Sequence, residues 1–257
     1  MSYLSALLES TRARIDAAKE SFPTASLEQR IASREPPRDF AAALSQQEIA
    51  VIAEIKRASP SRGAFDLELD AAAAANTLAA AGVAALSVLT EPDFFAGRLE
   101  DVAAAAGAGL PVLRKDFILD DFQLLESRAA GADAVLLIAR IVEPAQLSRL
   151  VAATKALGMH ALVEVFSPSE LDAAIDAGAG MIGVNHRDLE TFEVDGGRTA
   201  RLAPQVPAGC LLVALSGVSS RAEVAELERA GAVAVLVGEA LATVADPAAK
   251  LRELRGA

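Results

Sequence analysis

Tryptophan is absent from the 257 residues, tyrosine and cysteine occur once each, and there are two histidines. A lone cysteine rules out an internal disulfide. With only two histidines beside it, a zinc site built on N/S ligands is excluded as well. An all-carboxylate magnesium site stays open. Basic charge is also short: 24 lysines and arginines face 35 acidic residues, a net charge of -11. Nucleic acid and anionic membranes both need a basic footprint, so neither is an expected partner, although a local cationic pocket for a small anion is compatible with this balance. No apolar run approaches the ~18–20 residues that span a bilayer; Ala79–Leu86 is among the longest. The N-terminal stretch carries charges every few positions and no apolar core, so a cytoplasmic location without a secretory leader is expected. With 53% hydrophobic and 23% charged residues the chain is expected to fold. At this length it can bury roughly three quarters of its unfolded surface.

Residues 1–49 differ from the rest. Leu4, Leu7, Leu8, Thr11 and Ile15 fall at helical spacing, Ser26–Arg34 and Asp39–Leu44 read as two shorter helices, and Pro23, Pro36 and Pro37 separate the pieces. This is a helical arm on a larger body, too short for a core of its own. From residue 50 to 257 short apolar runs alternate with helical patterns. The runs are Ala50–Ile55, Ala84–Leu89, Pro111–Leu113, Ala134–Ile138, Ala161–Val165, Met181–Val184, Leu211–Leu215 and Ala234–Val237. They are continuous, as suits parallel strands buried on both faces. Glu143–Leu157 and Ser219–Ala230 are typical of the helices between them. Ala-Gly pairs ending at Gly82, Gly131, Gly178 and Gly231 each precede a run. They recur about every 50 residues, two β-α units, and each glycine fits a left-handed helix end. The expected fold is a single (βα)8 barrel with an N-terminal helical extension, and an open doubly wound sheet is the runner-up.

In such a barrel chemistry sits at the C-terminal ends of the strands. Charge concentrates there: Glu54 and Lys56 close the first run with Ser59 and Pro60 beyond, Arg114-Lys115-Asp116 follow the third, Glu164 lies in the fifth, and Asn185-His186-Arg187-Asp188 follow the sixth. Glu54 and Lys56 are two apart and share a face of a strand. Alone they could be a structural ion pair. Two lysines and two carboxylates converging on one mouth are expensive to desolvate for packing only, and they suit an acid/base set with pKa values pushed apart. Ser216-Gly217 and Gly238-Glu239 end the seventh and eighth runs, where this barrel often binds phosphate. Phe94, Phe95 and Phe117 lie just past the second and third runs, as rim packing or as a wall for a flat ligand.

Other signals carry no function. Gly178–Gly183 matches G-x-G-x-x-G but leads into a strand, the reverse of a dinucleotide site. Ser216 lacks triad partners, since His160 falls at the opposite end and His186 is the only other histidine. Cys210 begins an apolar strand and reads as buried.

Val51–Pro60 (VIAEIKRASP), Ser87–Thr90 with Phe94-Phe95 and Gly97, Pro111–Phe117 (PVLRKDF), Ala161–Val165, Ile182–Leu189 (IGVNHRDL), Val235–Gly238 and Arg38-Asp39-Phe40 together resemble the indole-3-glycerol-phosphate synthase family of tryptophan biosynthesis. The resemblance runs over nearly the whole chain. It implies a small phosphorylated aryl-amino sugar substrate, 1-(2-carboxyphenylamino)-1-deoxyribulose 5-phosphate, closed to an indole with loss of carbon dioxide and water. It implies no metal or organic cofactor, and other tryptophan-pathway enzymes as the partners to expect. Lys115 matches the family's general acid, which protonates the ribulose carbonyl as the ring carbon attacks. Lys56 matches the lysine that pairs with the motif glutamate and meets substrate anions. Glu54 and Glu164 match the carboxylates that move protons in closure and dehydration. Ser59, Asn185 and Arg187 are expected against the substrate, and Pro60, Phe94, Phe117 and Leu189 around its aryl ring. Ser216, Gly217, Gly238 and Glu239 fall on the phosphate site, with Glu239 acting through its backbone N–H.

One substrate-facing position departs from the family. The usual Ala-Glu-Ser-Gly at the end of the seventh run is Ala214-Leu215-Ser216-Gly217 here, which leaves less negative charge near Lys56 and Lys115. His186 stands where a second asparagine is common and reads as an exposed rim residue. The expected activity is the synthase reaction, weakened by Leu215. The alternatives are a divergent barrel lyase or isomerase on another phosphorylated sugar, or a non-catalytic ligand-binding barrel; the lysine and glutamate at 115 and 164 weigh against the last.

Overall fold

The computed structural model describes residues 2–46, 48–60 and 62–256. Eight parallel strands close into a barrel: β1 (Ala50–Ile55), β2 (Ala85–Leu89), β3 (Val112–Lys115), β4 (Ala134–Ile138), β5 (His160–Val165), β6 (Met181–Asn185), β7 (Leu211–Leu215) and β8 (Ala234–Val237). β8 pairs back onto β1, Ala50 beside Ala234 and Ile52 beside Leu236. That closure excludes the open sheet.

The continuous apolar runs have a simple cause. Val51, Ala53 and Ile55 face outward into a cluster with helix residues such as Leu147, Leu171 and Leu227. Ala50 and Ile52 face inward, with Leu113, Leu136, Leu162 and Val213, into a separate cluster. Each strand alternates, but both of its faces are buried. Gly82, Gly131, Gly178 and Gly231 all have φ between 76 and 100°, so the repeated Ala-Gly does end helices in the left-handed region. Asp120 and Ser220 start their helices with capping boxes.

β3 runs on through Arg114 and Lys115, two residues past the apolar run, because a polar network waits behind it. A two-residue ladder, Ala58–Ser59 against Gly63–Ala64, follows β1. It is too short to leave a period in the sequence.

The N-terminal helices are Tyr3–Ser21, Thr24–Ala32 and Phe40–Leu44. The first buries Leu7, Thr11 and Ile15, and its Arg14 reaches Glu91 beyond β2 at 3.2 Å. At the opposite end of the barrel, Phe40 and Leu44 are fully buried in the inner cluster. There the Arg38 N–H donates to Asp133 Oδ1 at 2.7 Å, and Asp133 Oδ2 accepts from the Val112 N–H at 2.8 Å. Asp133 is itself buried. Asp133→Ala strands both donors, so a loss of about 2–4 kcal/mol is expected in urea unfolding. An unchanged midpoint would mean that this carboxylate does not hold the segment.

Candidate active site

Glu54 points into the barrel from β1 and is buried. Its Oε1 lies 2.7 Å from Lys56 Nζ, and its Oε2 lies 4.0 Å from Lys115 Nζ. Gly238 closes on this pair, since a Cβ there would run into both Glu54 and Lys56. Burial opposes the Glu54 charge, but Lys56, Lys115 and Arg187 outweigh it and hold the carboxyl below its ordinary value. Glu164, on β5, is the opposite case. Burial dominates and pushes its carboxyl up, against the pull of Lys115 and a hydrogen bond from the Asn185 side chain. Its buried Oε2 has no hydrogen-bond partner. Two carboxyl groups around one lysine are thus moved in opposite directions, one kept ionised and one able to hold a proton.

The strand end that carries Lys115 is anchored from behind. Arg114 points outward and donates to Asp116 at 2.9 Å and to Thr90 and Ser127 at 3.1 Å. Alternation then turns Lys115 inward.

Two cavities share Glu54 and Lys56. One, of about 490 Å³, is bordered by Lys56, Arg62, Arg187, Ser216, Gly217 and Lys250. Ser216 and Gly217 take φ of 63 and 71°, which turns the chain sharply after β7. The helix Glu239–Ala242 starts there with no side chain capping its first amides. These are features of an anion site. The other cavity, of about 90 Å³, is bordered by Tyr3, Pro60, Phe95, Phe117, Leu189 and Phe192. Ser59, Lys115 and Asn185 line it too, and Glu54, Lys56, Arg187, Ser216 and Glu239 line both cavities. A cationic lobe and an aromatic lobe therefore meet at Glu54 and Lys56.

Three expected residues sit off these walls. Phe94 turns edge-on to Tyr3, centroids 5.1 Å apart, and Phe95 takes the wall 6.4 Å from Phe117. Glu164 lies behind the wall, 1% exposed. Leu215 is fully buried in the lumen against Gly183, beneath the mouth. Glu239 contributes more than its backbone, because its carboxyl reaches Arg62 at 2.5 Å and Arg187 at 4.0 Å. Cys210 is only half-buried, its thiol donating to the Ala179 carbonyl at 3.3 Å.

His186 is not an exposed rim residue. It is buried, with Nδ1 3.1 Å from the Ser216 carbonyl and Nε2 2.7 Å from Thr199 Oγ1. Burial lowers its pKa from 6.5. Below that value the unfolded chain takes a proton that the folded chain refuses, so stability falls as pH drops. Thermal melts between about pH 5 and 8 should show this slope in the natural chain and a shallower one in His186→Asn. Equal slopes would place the acid sensitivity elsewhere.

Arg62, Lys250, Tyr3 and Phe192 reach the site without a sequence signal: Tyr3 comes from the first helix and Lys250 from the last, and Arg62 and Phe192 lie several residues out in the loops after β1 and β6. Among the described residues no group of three or more His, Cys, Asp or Glu side chains could hold a metal ion, and no helix is long and apolar enough to cross a membrane.

A family model described as indole-3-glycerol phosphate synthase matches residues 4–254. The chain is 47% identical over 248 residues to the indole-3-glycerol phosphate synthase of Parafrankia sp. (strain EAN1pec), covering 96% of this chain and 92% of that one. It is 45% identical to the enzyme of that name from Roseiflexus sp. (strain RS-1), covering 98% of each. Among solved structures, a 3-hexulose-6-phosphate synthase superposes with a TM-score of 0.65 at 20% identity, over 81% of this chain and 99% of that one. At that identity the likeness shows the barrel fold alone.

Proposed function

The chain belongs to the indole-3-glycerol phosphate synthase family, and on that premise we propose which of its groups carries each part of the reaction. The enzyme is a lyase. It converts 1-(2-carboxyphenylamino)-1-deoxyribulose 5-phosphate to indole-3-glycerol phosphate, with loss of carbon dioxide and water. A divergent lyase or isomerase on another sugar phosphate is not favoured at this identity and coverage.

The substrate has three parts to hold: a phosphate, a hydroxylated chain with a ketone, and an anthranilate ring. In our reading the phosphate takes the cationic lobe, against Ser216, Gly217 and the backbone of Gly238 and Glu239. The ring takes the aromatic lobe, between Pro60, Phe95, Phe117 and Leu189. The ketone then falls between them, beside Lys115. The Lys115 ammonium donates a proton to the ketone oxygen as the ring carbon attacks, and departure of carbon dioxide restores the aromatic ring. Dehydration needs an acid for the leaving hydroxyl and a base for the neighbouring ring hydrogen. Lys56 and the two carboxyl groups, Glu54 and Glu164, share that work. Ser59, Asn185 and Arg187 orient the chain. The observation that carries this reading is geometric: Glu54 lies 2.7 Å from Lys56 and 4.0 Å from Lys115, where the cationic and aromatic lobes join.

We place residues 1–49 with the barrel as one functional unit, acting on a small molecule in the cytoplasm. A doubly charged phosphate ester does not cross membranes unaided, so an enzyme that uses one works where it is made. Enzymes of the same pathway are the partners this reading allows.

The test is a fluorescence assay for indole-3-glycerol phosphate, run on the natural chain and on Leu215→Glu. Product is expected from both, faster from the variant, whose melting temperature should fall because the new carboxylate enters a fully buried position. Ligand binding without product in either chain would return the barrel to the divergent reading.

A further inference from the structure

Glu239 lies in the cavity that the proposed function takes as the phosphate site, and its role rests on that reading. Four cations border that cavity: Lys56, Arg62, Arg187 and Lys250. Each lies within 4.0 Å of a carboxylate of this chain, and Arg187 also donates to the Phe192 carbonyl at 3.2 Å. Lys56 sits on Glu54 at 2.7 Å, and Lys250 on Glu253 at 2.8 and 3.0 Å. Arg62 and Arg187 share Glu239, at 2.5 and 4.0 Å.

Glu239 differs from the other two carboxylates. Glu253 does not border the cavity, and Glu54 belongs to the acid/base set. Glu239 lines the cavity and joins guanidinium groups from two loops, one after β1 and one after β6. A negative charge there repels the dianion that the surrounding cations attract. Its presence makes sense if it is displaced.

We propose that Glu239 is an internal competitor of the substrate phosphate: it holds Arg62 and Arg187 in the ligand-free protein and releases them to the incoming dianion. The guanidinium fork fits a carboxylate and a phosphate with the same planar geometry, so the exchange costs the arginines little reorganisation. The pair is also open to water, with the Arg62 side chain 61% and the Glu239 side chain 27% exposed. An exposed pair is weak enough to trade partners. The carboxylate therefore sets how tightly the phosphate end binds and how readily a phosphorylated product leaves.

Isothermal titration of inorganic phosphate into the ligand-free protein tests this. Glu239→Gln is expected to bind phosphate about tenfold more tightly than the natural chain, the effect of removing one nearby negative charge. Its KM for the substrate should fall in step. Glu239→Ser removes the same charge with a different shape and is expected to match Glu239→Gln; if the two variants part, charge is not the cause and the proposal falls. Equal affinity in all three chains overturns the proposal and leaves the phosphate site standing. Weaker binding in both variants overturns it in favour of Glu239 as a positioner of Arg62. No phosphate binding to any of the chains overturns the proposal and the phosphate site together.

Discussion

Lys115→Met is expected to lower kcat/KM by about 10³-fold, the usual worth of a well-placed general acid. Lys115 is the last residue of β3, its Nζ is 4.0 Å from Glu54, and it lines the aromatic lobe. Methionine keeps the length and apolar stem of the side chain but has no proton to give. Glu54 keeps Lys56 at 2.7 Å, so no buried carboxylate is left alone and the variant should fold. Arg114 and Asp116 still anchor the strand from behind at 2.9 Å. Steady-state kinetics give the loss, and titration of a non-reacting substrate analogue separates it from a loss of binding. Unimpaired analogue binding with the full loss of turnover is the expected pair. A loss below about tenfold would move the acid role to Lys56.

Much of this site is legible because barrel geometry converts sequence position into space. Once the runs at Ala50–Ile55, Pro111–Leu113 and Ala161–Val165 are strands of one barrel, Glu54, Lys115 and Glu164 must fall at the same end of it. Residues brought in by tertiary packing are different. Tyr3 comes from the first helix and Lys250 from the last, and nothing local in either segment marks it as site-facing. His186 reads as a rim residue because its partner Thr199 lies on the following helix, a contact no local pattern reveals. Phe94 and Phe95 are adjacent, and only the contact with Tyr3 decides which of them lines the aromatic cavity. Leu215 was legible as an odd residue for its position, but its place beneath the mouth depends on Gly183, which leaves it room.

Glu164→Gln should move activity and stability in opposite directions. In our reading Glu164 takes a proton during dehydration, and it must be ionised to do so. Burial raises its pKa above 4.5, so the natural enzyme should lose kcat as pH falls through that raised value. Glutamine has no such titration. The variant is expected to lose about 10²–10³-fold in kcat and to show no acid limb from this group. The stability sign follows from proton counting. Above 4.5 the unfolded chain has released the Glu164 proton while the folded chain still keeps it, so stability declines as pH rises, until the folded group ionises as well. At neutral pH the natural chain carries that cost and Glu164→Gln does not, so the variant should melt higher. Glu54 gives the reverse. Its folded pKa is held below 4.5, so its contribution is present above that value and is lost as pH falls. Glu54→Gln should therefore melt lower at neutral pH, where it leaves Lys56 without its partner. Melting curves of the three chains at neutral and acid pH decide the matter. A Glu164→Gln chain that melts no higher than the natural one at neutral pH would mean that its carboxyl is not held against burial, and that the proton it was assigned to carry belongs to another group.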